Sequence, residues 1–162
     1  MANSIRKHPA CQQHNHQDCI RTAMQKARAI CTANEVRLTT MRERVLEIIW
    51  QSHKPIGAYE ILALLSDANK VIAPPTVYRA IEFLMEQGLV HRIASLNAYI
   101  GCSQAQQDHI SQFLLCSECG IAIETDARLV SNSIHEQAAG YGFIIDQETI
   151  EISGRCPRCL SR

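Results

Sequence analysis

Residues 74–88 read Pro74-Pro75-Thr76-Val77-Tyr78-Arg79-Ala80-Ile81-Glu82-Phe83-Leu84-Met85-Glu86-Gln87-Gly88. Two prolines open the stretch, where the first helical amides have no intrahelical partner anyway, and a glycine closes it. On a wheel of about 100° per residue, Val77, Ala80, Ile81, Leu84 and Met85 share one broad apolar face, while Arg79 and Glu86 point the other way. A helix buried on one side, with an arginine near its N-terminal end on the other, is suited to entering a DNA major groove.

Three helical patterns precede it. Over residues 18–34, Ile20, Met24, Ala27, Ile30 and Cys31 recur at helical spacing. A second helix is expected from Thr40, where Thr40-Met41-Arg42-Glu43 reads as a capping box, with an apolar stripe through Val45, Ile48 and Ile49. A third is expected over residues 58–68, with Ile61, Leu62, Leu64 and Leu65 facing inward. Two short strands follow, residues 89–94 and 97–102, around a tight turn centred on Leu96 and Asn97. Helices followed by a hairpin describe a winged helix-turn-helix, a pattern that suits DNA binding and also fits a protein-binding winged helix.

Beyond residue 104 a polar connector leads to expected strands at residues 113–115 and 121–124, a helix at 127–139, and strands at 143–146 and 149–152. The expected fold class is α+β, an N-terminal winged helix-turn-helix (residues 18–103) joined to a small C-terminal α/β unit (residues 104–162). Residues 1–17 are polar and unpatterned, read as a disordered extension with a weak accessory metal binder as the alternative, and contain His8, Cys11, His14 and His16, with Cys19 just beyond.

Two CxxC pairs, Cys116-Ser-Glu-Cys119 and Cys156-Pro-Arg-Cys159, bracket the C-terminal unit. Neighbouring thiolates can converge on one ion about 2.3 Å from each sulfur, and two such pairs complete the tetrahedron zinc prefers. Four thiolates leave no coordination position for water or substrate, so this site is expected to be structural rather than catalytic.

The chain of 162 residues is 46% hydrophobic but holds only three Phe and one Trp. Two small units, one stapled by metal, suit that shortage better than a single large core. The net charge is zero, yet residues 1–105 carry 12 Lys and Arg against 8 Asp and Glu, and the remainder 4 against 8. The N-terminal excess permits a phosphate-facing module without requiring one. No apolar run is long enough for a membrane span and no secretory leader is evident, so a cytoplasmic protein is expected. In that compartment eight Cys point to metal binding and buried thiols rather than disulfides.

A second ligand constellation gathers where the two units should meet: His91 on the first wing strand, Cys102 on the second, His109 in the connector and Glu124 at a strand end. With the turn at Leu96 and Asn97, His91 and Cys102 face each other across the hairpin. One sulfur, two imidazoles and a carboxylate make a zinc set less committed than four thiolates. The alternative is a surface histidine, a buried thiol and a solvated carboxylate.

In order along about residues 20–160, Val36-Arg37-Leu38-Thr39, Ala58-Tyr59-Glu60-Ile61-Leu62, Pro75-Thr76-Val77-Tyr78-Arg79-Ala80 and the CxxC pairs resemble the ferric uptake regulator superfamily. Such proteins are dimeric, metal-responsive transcription factors with a winged-helix domain and a C-terminal α/β dimerisation domain. The stretch ahead of the first CxxC, Gln106-Gln107-Asp108-His109, lacks the histidine-rich motif of the iron and peroxide sensors, and Cys102 between His91 and His109 matches the zinc uptake regulator branch. The resemblance implies a repressor of zinc uptake genes that binds palindromic operator DNA as a homodimer when zinc-loaded. It implies two zinc ions per chain, one structural at Cys116, Cys119, Cys156 and Cys159, one regulatory at His91, Cys102, His109 and Glu124. Tyr59 and Arg79 become candidate base readers with Thr76 and Tyr78 as neighbours on DNA, and Arg37, Arg42 and Arg92 candidate phosphate contacts. Thr40 stands where the family often has proline, and the His/Cys-bearing extension has no family counterpart.

Rival functions are an iron, manganese, nickel or peroxide sensor of the same superfamily, and, more distantly, a thiol redox or zinc enzyme. A redox CxxC belongs in a βαβ context that Cys156-Pro-Arg-Cys159 lacks, and His135-Glu136 does not fit the zinc deaminase pattern. No enzymatic role, small-molecule substrate or membrane partner is expected. His53 is read as an exposed loop histidine, with membership of a further site as the alternative, Cys31 as a packed thiol, His135 as a helix-surface residue and Trp50 as a lid on the core beneath the second helix.

Overall fold

The computed structural model describes residues 16–66, 71–105 and 110–161. Helix α1 (His16–Ala33) begins two residues before its expected start, inside the stretch read as a disordered extension. His8, Cys11 and His14 lie outside the described residues.

Helix α2 (Thr40–Ile49) starts where expected, but its cap is one residue earlier. Thr39 is extended and its side chain accepts from the Arg42 amide, so Thr40 is already helical and the expected Thr40–Glu43 box does not form. Glu43 instead pairs with Arg28 of α1 at 3.0 Å. Strand β1 (Ile56–Gly57) leads into α3 (Ala58–Leu65), where the Glu60 carboxylate accepts from the Gly57 amide at 2.9 Å. Helix α3 buries Ile61 and Leu65, but Leu64 is 56% exposed, contrary to expectation.

Helix α4 (Pro74–Glu86) buries Val77, Ala80, Ile81 and Leu84 as its periodicity dictates, together with Phe83. Those side chains meet Val45, Leu46 and Ile49 of α2 and Met24, Ala27 and Cys31 of α1 in one core, with Trp50 packed against it. Burying side chains of this size stabilises by roughly 1.5–3 kcal/mol each before ordering entropy is subtracted.

The wing is β2 (Val90–Ile93) and β3 (Ala98–Gly101), antiparallel, with β1 on the far side of β3. A 3-10 turn, Ala94–Leu96, followed by left-handed Asn97 makes the connection longer than expected. His91 therefore pairs with Ile100, not Cys102. The slip is two residues, and side chains alternate with period two, so His91 and Cys102 still share a face as diagonal neighbours. Gly101 is required by close approach, because a Cβ there would lie 2.3 Å from the Trp50 ring.

The second sheet has the order β5-β4-β6. Strands β4 (Ser111–Cys116) and β5 (Ala122–Asp126) are antiparallel, and β6 (Ile150–Gly154) runs parallel to β4, with α5 (Arg128–Gly140) in the crossover. The expected strand at residues 143–146 is absent. Helix α5 ends with Gly142 at φ +67° and the Phe143 amide bonded to the Ala138 carbonyl, so the start of that stretch is committed to closing the helix. A short α6 (Pro157–Leu160) ends the described chain. One face of the wing lies on the second sheet: Ile93 and Ile100 pack with Phe113, Leu115 and Ala122 in a separate apolar cluster.

Candidate metal and nucleic-acid sites

Cys116 ends β4, Cys119 follows in the turn, and Cys156 and Cys159 flank the start of α6, so the β4–β6 pairing brings the two CxxC pairs together. The Cys119 and Cys156 sulfurs are 3.8 Å apart. That is the edge of a tetrahedron of sulfurs about 2.3 Å from a central ion, and far beyond a disulfide bond of about 2.05 Å. Amides of Cys119 and Cys156 pull the Cys116 thiol down to about 6, while burial and the neighbouring thiols push Cys159 up to about 12. A first thiolate in the cluster opposes a second, a repulsion that a bound cation would offset.

A second group forms between the wing and the second sheet. His91 Nε2 lies 2.9 Å from Glu124 Oε1, and the Cys102 thiol is 3.6 Å from the same oxygen. Glu124 is buried, and its other oxygen accepts from the Ser103 amide at 2.8 Å and hydroxyl at 2.7 Å. The Ser111 hydroxyl donates to Oε1 at 2.7 Å and lies 3.4 Å from His91 Nε2. Burial works to raise the Glu124 pKa, but hydrogen bonds from His91, Ser111 and Ser103 outweigh it and hold the carboxyl below the usual carboxylate range. Burial, and then the Glu124 charge, push the Cys102 thiol up to about 12. The donors of His91, Cys102 and Glu124 lie within 4.8 Å of one another, a sulfur, nitrogen and oxygen set that fits zinc. His109, the expected fourth ligand, lies outside the described residues.

Ser103 and Ser111 hold the Glu124 carboxylate, a placement that sequence spacing does not reveal. Nor does it reveal Glu151 on β6, whose carboxylate accepts from the amides of Ala94 at 2.6 Å and Ser95 at 3.2 Å and from the Ser95 hydroxyl. These bonds clamp the wing turn to the second sheet and hold the Glu151 pKa down against the effect of burial.

Thr76, Tyr78 and Arg79 are exposed on the first turns of α4, and Tyr59 is 73% exposed at the start of α3. The α4 N-terminus offers no free amides: Pro74 and Pro75 carry no N–H, and the Thr76 amide donates to the Ala73 carbonyl at 2.9 Å. Arg37 and Arg92 are also exposed, the latter bonded to Asn97 across the wing at 2.9 Å. Arg42 is engaged within the chain: its guanidinium stacks 3.4 Å from the Phe83 ring centroid and donates to the Arg37 carbonyl. His135 is exposed on α5, as expected, and Glu148, which also accepts from Ser131, lies 3.3 Å from it.

The fold is shared with known proteins. The zinc uptake regulation protein of Escherichia coli strain K12 is 40% identical over 136 residues, covering 83% of this chain and 80% of that protein. A zinc uptake regulator solved in complex with zinc and DNA superposes with a TM-score of 0.81 at 37% identity, covering 92% of this chain and 97% of the other. Holo XcZur, 34% identical, superposes at 0.79 over 87% of this chain and 99% of its own, whereas apo XcZur reaches 0.52 over 88% and 99%. Residues 33–153 match the ferric uptake regulator family, and with the winged helix, the four-cysteine cluster and the relatives above, the chain belongs to that family.

Proposed function

We propose that this protein is a zinc-responsive transcriptional repressor, acting in the cytoplasm as a homodimer on palindromic operator DNA to silence zinc uptake genes. The observation that carries this reading is the origin of the second ligand group. His91 and Cys102 come from the wing and Glu124 from the second sheet, so their convergence fixes one unit against the other. His109 from the connector is the fourth ligand in this reading. Zinc held there would offset the charges of the Cys102 thiolate and the Glu124 carboxylate; the residues do the rest. Ser103 and Ser111 orient the carboxylate, Glu151 holds the wing turn, and the Ile93–Phe113 cluster excludes water between the units.

The greater likeness to holo than to apo XcZur supports a zinc-dependent arrangement of this kind. Metal and operator binding are then linked, and DNA raises zinc affinity by the factor by which zinc raises DNA affinity. The Cys116, Cys119, Cys156 and Cys159 cluster serves as a second, permanent zinc site. Dimerisation is supported by apolar side chains left exposed on the second unit, Leu129, Tyr141, Phe143 and Ile144 among them. A twofold pair of α4 helices would read half-sites about 34–36 Å apart, or a multiple of that spacing. Named relatives are regulators, and a closed set of four thiolates leaves no coordination position for substrate, so no catalytic role is assigned.

Operator binding by the full chain, followed by fluorescence anisotropy in buffered zinc, iron(II), manganese and nickel, tests the reading. Zinc should promote binding at the lowest free concentration. An equal or stronger response to iron would assign the protein to a different sensor class.

A further inference from the structure

Two histidines and a cysteine that the proposed sensing mechanism does not use converge beside it. His16 and Cys19 lie one turn apart on α1, a spacing that places them on one helix face, and His53 comes from the segment between α2 and β1. Their three donor atoms lie within 4.8 Å of one another, and the two imidazole rings are 4.9 Å apart between centroids, tilted by 42°. We propose that His16, Cys19 and His53 form a third zinc site, with solvent as the fourth ligand.

The donor chemistry selects the metal. Two imidazoles and a thiolate match the borderline softness of zinc, and among the described residues no carboxylate joins the group to favour a hard cation. Zinc at about 2.0–2.3 Å from each donor needs donors roughly 3.3–3.8 Å apart, so side-chain rotations of about an ångström close the set. All three residues are half-buried, which leaves the fourth position open to water, unlike the Cys116 cluster.

The placement gives the site a structural consequence. The His53 carbonyl accepts from the Ala122 amide at 2.9 Å, two residues before Glu124 on β5. Cys19 and His53 line one cleft of about 190 Å³ with Trp50, Ser103 and Glu124. Metal at His16, Cys19 and His53 therefore ties α1 to the segment that docks on the second sheet, a few residues from the proposed sensing group but through separate ligands. Trp50, the single tryptophan of the chain, stands in that cleft as a natural reporter.

Zinc bound per full-length chain, measured at saturation and after removal of loosely held metal, tests this in C19S, H53Q and C102S. Each of C19S and H53Q should bind one zinc fewer than wild type and lose a zinc-dependent change in Trp50 fluorescence that C102S retains. C102S should lose a different ion, so the double variant C19S/C102S should bind two fewer. Circular dichroism verifies that the variants are folded. Wild-type stoichiometry in either C19S or H53Q overturns the third site, whatever C102S does.

Discussion

His91 Nε2 and Glu124 Oε1 lie 2.9 Å apart, although one belongs to the wing and the other to the sheet of the second unit. The Ser111 hydroxyl lies against both, donating to Glu124 at 2.7 Å and sitting 3.4 Å from the same histidine nitrogen. Groups that orient metal ligands typically influence affinity by about 10–100-fold. Replacement of Ser111 by Ala should therefore weaken zinc binding at this group by about tenfold or more while leaving the four-cysteine cluster loaded. Chelator competition measures this directly, and an unchanged affinity would show that the serine does not position the carboxylate.

Cys102 gives the site a definite pH dependence. Its thiol, pushed up to about 12 by burial and by Glu124, is protonated throughout the neutral range and must lose that proton to ligate zinc. Lowering pH therefore opposes metal binding, and between about pH 6 and 8 this proton alone contributes a tenfold gain in affinity per pH unit. In C102S that contribution should vanish. Zinc titrations at three pH values check it, and an identical slope in wild type and variant would remove Cys102 from the ligand set.

Cys116 should behave differently from Cys102. Its sulfur accepts from the Cys156 amide at 3.3 Å and sits at the end of the β4–β6 pairing, so its loss unfastens the second sheet as well as the metal. C116S should lower the melting temperature and shift the protein towards monomer in sedimentation. A dimer as stable as wild type would contradict a structural role.

Arg79 and Arg92 should separate on DNA. Loss of a base-reading arginine costs about 1–3 kcal/mol, so R79A should weaken operator binding by about 5–150-fold and relax discrimination at one base pair. R92A, a phosphate contact in this reading, should weaken all sequences alike and reduce the salt slope by about one. Anisotropy titrations over a range of salt, on operator and scrambled DNA, distinguish the two patterns.

The features legible in the sequence are those encoded by local period or short spacing. The α4 face, the helix starts, the wing and the CxxC pairs all follow from residues within a few positions of one another. Even here, Thr39 and Thr40 are both competent caps, and only the backbone decides for Thr39. The wing register slipped by two because a 3-10 turn looks like strand residues in sequence, yet the face assignment survived because two is the strand period. Features made by distant elements were not legible. Glu151 reaches Ala94 across 57 positions, and His53 meets Cys19 through loop geometry that spacing does not encode. The expected strand at residues 143–146 is absent for a local reason: Gly142 turns the Phe143 amide back onto α5, a helix cap that outweighs β propensity.

Coupling between the group at His91, Cys102 and Glu124 and the DNA-binding face is tested most directly by one paired titration. Operator affinity and zinc bound per chain are measured together as free zinc is raised, for wild type and C102S. In wild type, operator affinity should rise in step with filling of an ion that C102S lacks, while the four-cysteine ion remains bound throughout. Equal zinc dependence of operator binding in the two proteins would contradict sensing at the junction of wing and second sheet.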